Sequence, residues 1–462
     1  MTKRVYLNSI KALILLSPLP FGCVGRIWSP LFYLVVLILS FFGLKLTGEE
    51  ETFLYEKRIR FCVYLVFAFI VFQLLPLPGF LLNVISPGTP GIIDVLKSSP
   101  SSFHPISVLP AETLGFGFRL FVLLFFFYVS VKIRLKQNEI FSLINVMIVS
   151  SVIQTIFGFL KLTQGNRLFY LFFYEDRCPD PHLTGTIANP DHFSFYLEMI
   201  LPLAVAVLLA RWLFIGPHAS FREKLLSLLA DKKAVFLSAL PIFLIGTGII
   251  FTGSGSGMII LLLSLFLLGS FTFYFSTSHH LRHNIRAVFT IIIILIIFMG
   301  LQNNLVNFWR SSTGNINYFT CWSNTIKLFS VFPLWGSGFG SYKYIYFLYD
   351  TEGVGWITHS HNDYLETFAE GGISGGVLFL LPIGWLLVSL YRMWLARRNP
   401  KVKAIGLGAL VACFSVGFHS IFSFALRIPA ISFLFVLIMV LGIKMVTYKL
   451  EAPHDAIPAR RR

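Results

Sequence analysis

The stretch His359-Ser360-His361-Asn362-Asp363-Tyr364-Leu365-Glu366, closed by Glu370-Gly371-Gly372, gathers two imidazoles, an amide and three carboxylates just before an apolar run. Ionisable groups at a bilayer edge mark function by default, because hydrocarbon penalises idle charge. An imidazole among carboxylates is equipped to accept a proton near neutral pH. Ser360-x-x-Asp363 fits a capping box, which predicts a short helix over 361–370 ending at Gly371-Gly372. On such a helix Asp363, Glu366 and Glu370 share a face. His361 falls in its first turn, where the helix dipole disfavours a cation and favours a neutral ring. The bland alternative is a solvated interfacial helix with an idle histidine. The His359-x-His361 pair also invites a metal, but zinc sites use three or four ligands and no third His stands nearby, so no metal is expected.

Other polar residues sit at the same boundary. Thr184 to His192 carries Asn189-Pro190, a turn signal, with Asp191 as the expected N-cap of a span beginning at His192. Arg167 and Arg177 precede it, and the planar guanidinium fork suits phosphate. Near the end, His419-Ser420 and Arg427 place an imidazole and a cation at one edge, and an Arg at that depth needs an anionic partner. Gly336, Gly338 and Gly340 fall within five positions. They suit close backbone approach to a ligand, or amides presented to an anion, or a plain flexible turn.

These residues must be held by an apolar scaffold. The chain has 462 residues, of which 56% are hydrophobic and 13% charged, with 50 Phe; soluble domains carry about 25% charged residues. The expected class is an all-α integral membrane protein, one polytopic domain over 1–462, with about twelve spans of the necessary length. They centre on 9–25, 29–44, 61–80, 114–131, 140–160, 192–215, 234–251, 257–276, 287–303, 373–395, 403–421 and 427–448. Pro18 and Pro20 interrupt the first. With the N-terminus inside, every alternate loop is basic, so the formal charge of +16 is largely a topology signal. Dispersed over short loops, it argues against nucleic acid. Both termini are then cytoplasmic. The long loops 81–113, 161–191 and 304–372 face outward, where binding and catalysis concentrate. The last, between the ninth and tenth spans, carries the His361 motif. No Walker or dinucleotide pattern is present, so any donor must arrive already activated. The five cysteines show no CxxC pair; Cys178 and Cys321, both outside, either bridge or, as the favoured reading, stay unpaired.

His361-Asn362-Asp363-Tyr364-Leu365, then Ala369-Glu370-Gly371-Gly372 and Gly375-Gly376, resembles the hallmark of the O-antigen ligase and polymerase superfamily. Trp322 with Pro333-Leu334 and Gly336-Ser337-Gly338-Phe339-Gly340 is similar to that family's loop, as are Gly185…Asn189-Pro190-Asp191-His192 and His419-Ser420…Arg427-Ile428-Pro429. The resemblance implies a bacterial inner-membrane glycosyltransferase of GT-C-like architecture that needs neither metal nor nucleotide. It would move a glycan from undecaprenyl pyrophosphate, in the periplasm, to lipid A–core or to a growing polysaccharide. His361 is then the expected base, with Glu370 and Asn362 completing the catalytic set. Arg427, Arg177 and Arg310 would stabilise the departing pyrophosphate, and His419, Asn189 and Gly338 complete the substrate-binding set. Partners implied are the lipid-linked donor, the sugar acceptor and membrane lipid.

The same resemblance marks departures. Gly255 stands where Arg is expected, Tyr318 where a basic residue often precedes Trp322, and His182 near an expected Arg. Either Arg177 and Arg310 substitute, or the donor differs, or the catalyst is impaired. Alternatives of other classes are a lipid-linked glycan flippase and a non-catalytic envelope scaffold. Transporters place substrate groups near the bilayer centre, whereas Glu198 and Arg427 lie near span ends.

Overall fold

The computed structural model describes residues 2–48, 56–95, 103–164, 182–212, 232–275, 318–350 and 357–448, together with positions 290 and 294. Apart from those two positions the expected span at 287–303 lies outside the described residues, as do Arg167, Arg177, Cys178 and Arg310.

Apolar runs dominate the chain, and those among the described residues form helices because a helix satisfies its backbone internally when hydrocarbon surrounds it. In chain order these are α1 (Lys3–Leu16), α2 (Trp28–Leu44), α3 (Glu56–Leu74), the short α4 (Gly79–Ile85) and α5 (Gly88–Val95), α6 (Pro110–Lys132) and α7 (Gln137–Gln164). There follow α8 (Pro190–Trp212), α9 (Lys232–Phe251), α10 (Gly255–Phe275), α11 (Tyr318–Val331), the single turn α12 (Tyr342–Ile345), α13 (Asp363–Leu395), α14 (Pro400–His419) and α15 (Pro429–Thr447). A two-residue antiparallel ribbon pairs β1 (Leu77–Pro78) with β2 (Phe103–His104).

Six of these helices, α6, α7, α8, α13, α14 and α15, are long and apolar enough to cross a membrane; shorter apolar stretches occur in α2, α3, α9 and α10. The first expected span is cut short. Its helix ends at Leu16, and beyond Pro18 and Pro20 the chain turns through Phe21, Gly22 and Cys23, all at positive φ. Outward faces carry bare apolar side chains such as Phe41, Phe61, Phe118, Phe243 and Phe266. In water such a surface would aggregate; in lipid it is the proper solvent-facing side. The protein is thus an all-α protein of the multi-pass membrane type.

The centre is α8, apolar on every side and buried almost throughout. It packs closely on α14, where Gly408 lies against Ala206 and the carbonyl of Pro202. Without a hydrophobic drive between helices in lipid, small residues that permit backbone approach supply the packing energy. A second apolar cluster lies apart from this core. It joins Cys321 and Leu328 of α11, Tyr342, Ile345 and Tyr346, Ala369 of α13 and Ile92 of α5. The segment expected as a long loop is therefore partly helical and has its own packed interior.

Filling the α8–α14 contact should be costly. Gly408→Val places carbon within 3 Å of the Pro202 carbonyl and the Ala206 methyl and should destabilise by about 1–3 kcal/mol. Gly384→Ala, whose added methyl meets nothing within 4 Å, should leave the thermal midpoint in detergent level or raised.

Candidate functional site

The site is assembled from the starts of α8 and α13, the turn between α14 and α15, and the first turn of α11. Asn362, not Ser360, caps α13. Its Oδ1 accepts from the N–H groups of Tyr364 and Leu365, both at 3.0 Å, and the helix begins at Asp363. Ser360 instead turns its hydroxyl to the Asn362 carbonyl at 2.7 Å. The expected capping box is therefore displaced by two residues. The helix also continues past the expected stop: Gly372 (φ 63°, ψ −172°) breaks it, and it resumes to Leu395.

The shift moves His361 out of the helix. It precedes the cap in the left-handed region at φ 53°, which costs a non-glycine residue on the order of 1–3 kcal/mol and is tolerated where the surroundings enforce it. The ring is 8% exposed, tilted against Tyr318 with centroids 5.6 Å apart and edge-on to Phe424 at 5.0 Å. Among the described residues it makes no hydrogen bond. Burial pushes its pKa down to about 4; Asp191 and Glu366 act against the burial, and His359 adds to it. The neutral ring anticipated from the sequence is present, for a different reason: desolvation rather than a helix dipole.

Behind it stands a buried charge cluster. Arg427 Nε lies 3.1 Å from Glu366 Oε1 and 3.9 Å from Asp363 Oδ1, while Nη2 donates to Glu370 Oε2 at 2.9 Å. Burial disfavours the guanidinium charge, and the three carboxylates outweigh it and hold its pKa above the ordinary value. The anionic partner demanded by an Arg at this depth is thus the protein itself. Among the described residues the carboxylates are met by Nε and Nη2, and no hydrogen bond is made by Nη1. Glu366 Oε1 is also 2.8 Å from His359 Nδ1, and its Oε2 accepts from the Ser360 amide at 2.8 Å. Glu370 Oε1 accepts from the Tyr342 amide at 3.1 Å. The α14–α15 turn is fastened to the same helix end: the Asp363 amide donates to the carbonyls of Ser420 (2.9 Å) and Ser423 (3.2 Å), and Ser420 Oγ donates to Asp363 Oδ2 at 3.1 Å.

At α8, Asn189 is the cap, with Oδ1 accepting from the Asp191 and His192 amides at 2.8 and 3.4 Å and Pro190 at the first helical position. Asp191, expected in that role, is released from it. Its Oδ2 accepts from the Tyr318 hydroxyl at 3.4 Å. Asn189 therefore spends its side-chain oxygen on the helix start. His419 is 1% exposed and belongs to a separate buried chain: Nδ1 is 2.8 Å from Glu198 Oε2, Nε2 shares a hydrogen bond with Ser256 Oγ at 3.0 Å, and Ser194 Oγ donates to Glu198 Oε1 at 2.6 Å. Ser256 is the neighbour of Gly255, where Arg was expected.

The glycines approach protein rather than ligand. A Cβ on Gly336 would collide with the Glu370 carbonyl, and one on Gly338 (φ 103°) with Ser107. The Gly338 amide donates to the Glu370 carbonyl at 2.9 Å. Gln73 of α3 completes this junction: Nε2 donates to the carbonyls of Trp335 (2.7 Å) and Glu370 (3.0 Å), and Oε1 accepts from the Phe339 amide at 3.3 Å. Gln73 escaped the sequence reading, although a lone amide in an apolar span was its signal. Cys321 is a free, fully buried thiol whose Sγ donates to the Ser360 carbonyl at 3.3 Å.

This polar constellation lies at helix ends within an apolar bundle. A family model described as O-antigen ligase matches residues 240–380. Over that stretch, less than half of the chain, the protein is similar to the O-antigen ligases, which supports the ligase and polymerase superfamily that the motifs pointed to. The match contains Trp322, Gly338, His361, Asn362 and Glu370; Asn189, His419 and Arg427 lie beyond it. No curated protein matches the chain.

Removing the cation from a buried cluster strands its anions, at a cost of about 3–5 kcal/mol. Arg427→Met should lower stability by about that amount in chemical denaturation from mixed micelles. Arg427→Lys should fall between, because a point charge cannot serve Glu366 and Glu370 together.

Proposed function

We propose that the protein transfers a glycan from undecaprenyl pyrophosphate to the hydroxyl of an acceptor sugar on the periplasmic face of a bacterial inner membrane. The acceptor is lipid A–core in a ligase or the growing chain in a polymerase. The observation that carries this reading is the His361 imidazole: neutral, unpartnered among the described residues, and fixed in a strained backbone conformation inside a domain of the O-antigen ligase family.

In this reading His361 takes the proton of the acceptor hydroxyl as its oxygen attacks the anomeric carbon. The bond from that carbon to the pyrophosphate oxygen breaks with its electron pair, and undecaprenyl pyrophosphate departs with inversion at the sugar. Desolvation makes His361 a weak base in its resting state. Asp191 and Glu366, whose charges favour the protonated ring, help to hold the imidazolium once it forms. Asn362, by capping α13, sets the register that carries His361 ahead of the helix. Glu370 and Glu366 hold the Arg427 plane, and the Nη1 donors of Arg427 face the developing pyrophosphate charge. Arg177 and Arg310 are assigned the rest of that anion from outside the described residues. Asn189 sets the start of α8 beside the site; His419 and Gly338 act from behind it, His419 through Glu198 and Ser256 and Gly338 through the Glu370 carbonyl. Neither metal nor nucleotide enters the reaction so written. The wider architecture that fits is about twelve spans in a GT-C-like arrangement with both termini cytoplasmic.

Reconstitution with purified lipid-linked glycan and candidate acceptors tests the proposal. Addition of one glycan en bloc identifies a ligase, a ladder of lengths a polymerase, and no product with any acceptor overturns the reading. His361→Ala should abolish transfer while expression and thermal midpoint persist; retained activity removes His361 as the base. Because the ring is protonated only below about pH 4, the acid limb of kcat/KM should fall near that value rather than near the ordinary histidine value of about 6.5. A limb at the higher value would show that the ring is solvated.

A further inference from the structure

Among the described residues, two buried polar atoms near His361 have no hydrogen-bond partner: Trp322 Nε1 and Ser423 Oγ. Such groups are uncommon in native proteins because each forfeits its desolvation energy, and each calls for a cause. Both border one aromatic assembly. On α11, Tyr318 and Trp322 stack at 6.1 Å with planes 16° apart, and Phe319, 54% exposed, meets Trp322 edge-on at 6.0 Å. From the α14–α15 turn, Phe422 lies 6.0 Å from Trp322, and Phe424 lies against His359 (4.2 Å), His192 (4.5 Å) and His361 (5.0 Å). Ser423 sits between those two phenylalanines in sequence and is 1% exposed.

We propose that this wall is the subsite for the acceptor's pyranose ring, with the Trp322 indole N–H donating to one sugar oxygen and the Ser423 hydroxyl pairing with another. The inference rests on the transferase reading and specifies where its acceptor lies. Flat aromatic faces suit the C–H face of a pyranose, and the indole adds a donor at the edge of an apolar body. A ligand site of this kind is mostly apolar with a few placed polar groups. The sugar that surrenders a proton to His361 must rest beside that ring, and Tyr318 joins the wall directly to it. The donor's pyrophosphate, by contrast, needs cations, and Tyr318, Trp322, Phe422 and Ser423 supply none. Since the rings cover both orphan atoms, the sugar enters by parting them, and the bonds missing in the free protein form only in the complex.

Trp322→Phe keeps a ring and deletes the N–H; Ser423→Ala deletes the hydroxyl. Each should raise the KM for acceptor about tenfold, the worth of one lost hydrogen bond, while the KM for lipid-linked donor holds. Ser423→Ala should not lower the thermal midpoint, because it removes a hydroxyl the described residues leave unsatisfied; Trp322→Phe also gives up indole packing, so its readout is the acceptor KM. An unchanged acceptor KM in both variants overturns the subsite; so does a rise in donor KM alone. Binding of radiolabelled rough lipopolysaccharide and of a sugar polymer fraction to the full chain in nanodiscs separates the two proposals. If wild type transfers nothing yet binds either probe, and Trp322→Phe weakens that binding, the transferase reading fails and the sugar subsite stands. If wild type binds neither, the subsite is overturned.

Discussion

One guanidinium orders one end of this helical bundle. Arg427 is carried by the turn between α14 and α15, and its partners Asp363, Glu366 and Glu370 are carried by α13. The cluster is nearly solvent-free, so its worth depends on every lone pair being met. Glu366 meets this with the Ser360 amide and His359, Glu370 with the Tyr342 amide. Each bond reaches a different segment. The cluster therefore ties together the loop before α13, the helix itself, the turn beyond α14 and the start of α12. His361 inherits its fixed place from that frame, since Ser360 on one side and Asn362 on the other are both held by bonds of the same set.

The fold was legible where hydropathy speaks plainly. The long described helices after the first follow the expected apolar runs, because span length and apolarity are additive along the chain, whereas α4, α5, α11 and α12 lie in segments expected as loops. The ends were less so. Ser360 and Asp191 are good caps by residue type, but Asn362 and Asn189 took those positions. Several cap formers lay within one turn of each other, and tertiary bonds chose among them. The choice matters chemically: it placed His361 outside the helix and released Asp191 toward Tyr318. The titratable cluster itself was read correctly as a group, since three carboxylates at helical spacing must share a face. What they face was not readable, because Arg427 lies far along the chain.

Other features were invisible for the same reason. The glycines of the 336–340 turn suggested a ligand approach, yet the close neighbour is the Glu370 carbonyl, with Gln73 of α3 bridging both segments. The His419–Glu198 pair joins α14 to α8, deep and hydroxyl-lined. It occupies the region where the absent Arg at Gly255 had been missed, and it shows that local polarity there is met by an imidazole and serines. The orphan indole of Trp322 could not be foreseen at all: lack of a partner is a property of the packed state alone.

The thiol of Cys321 lies directly beneath the Ser360 carbonyl and is wholly enclosed. A reagent reaches that sulfur once the segment bearing the imidazole lifts away from α11. The alkylation rate of Cys321 in an intact bilayer is consequently a built-in clock for how often the His361 segment opens.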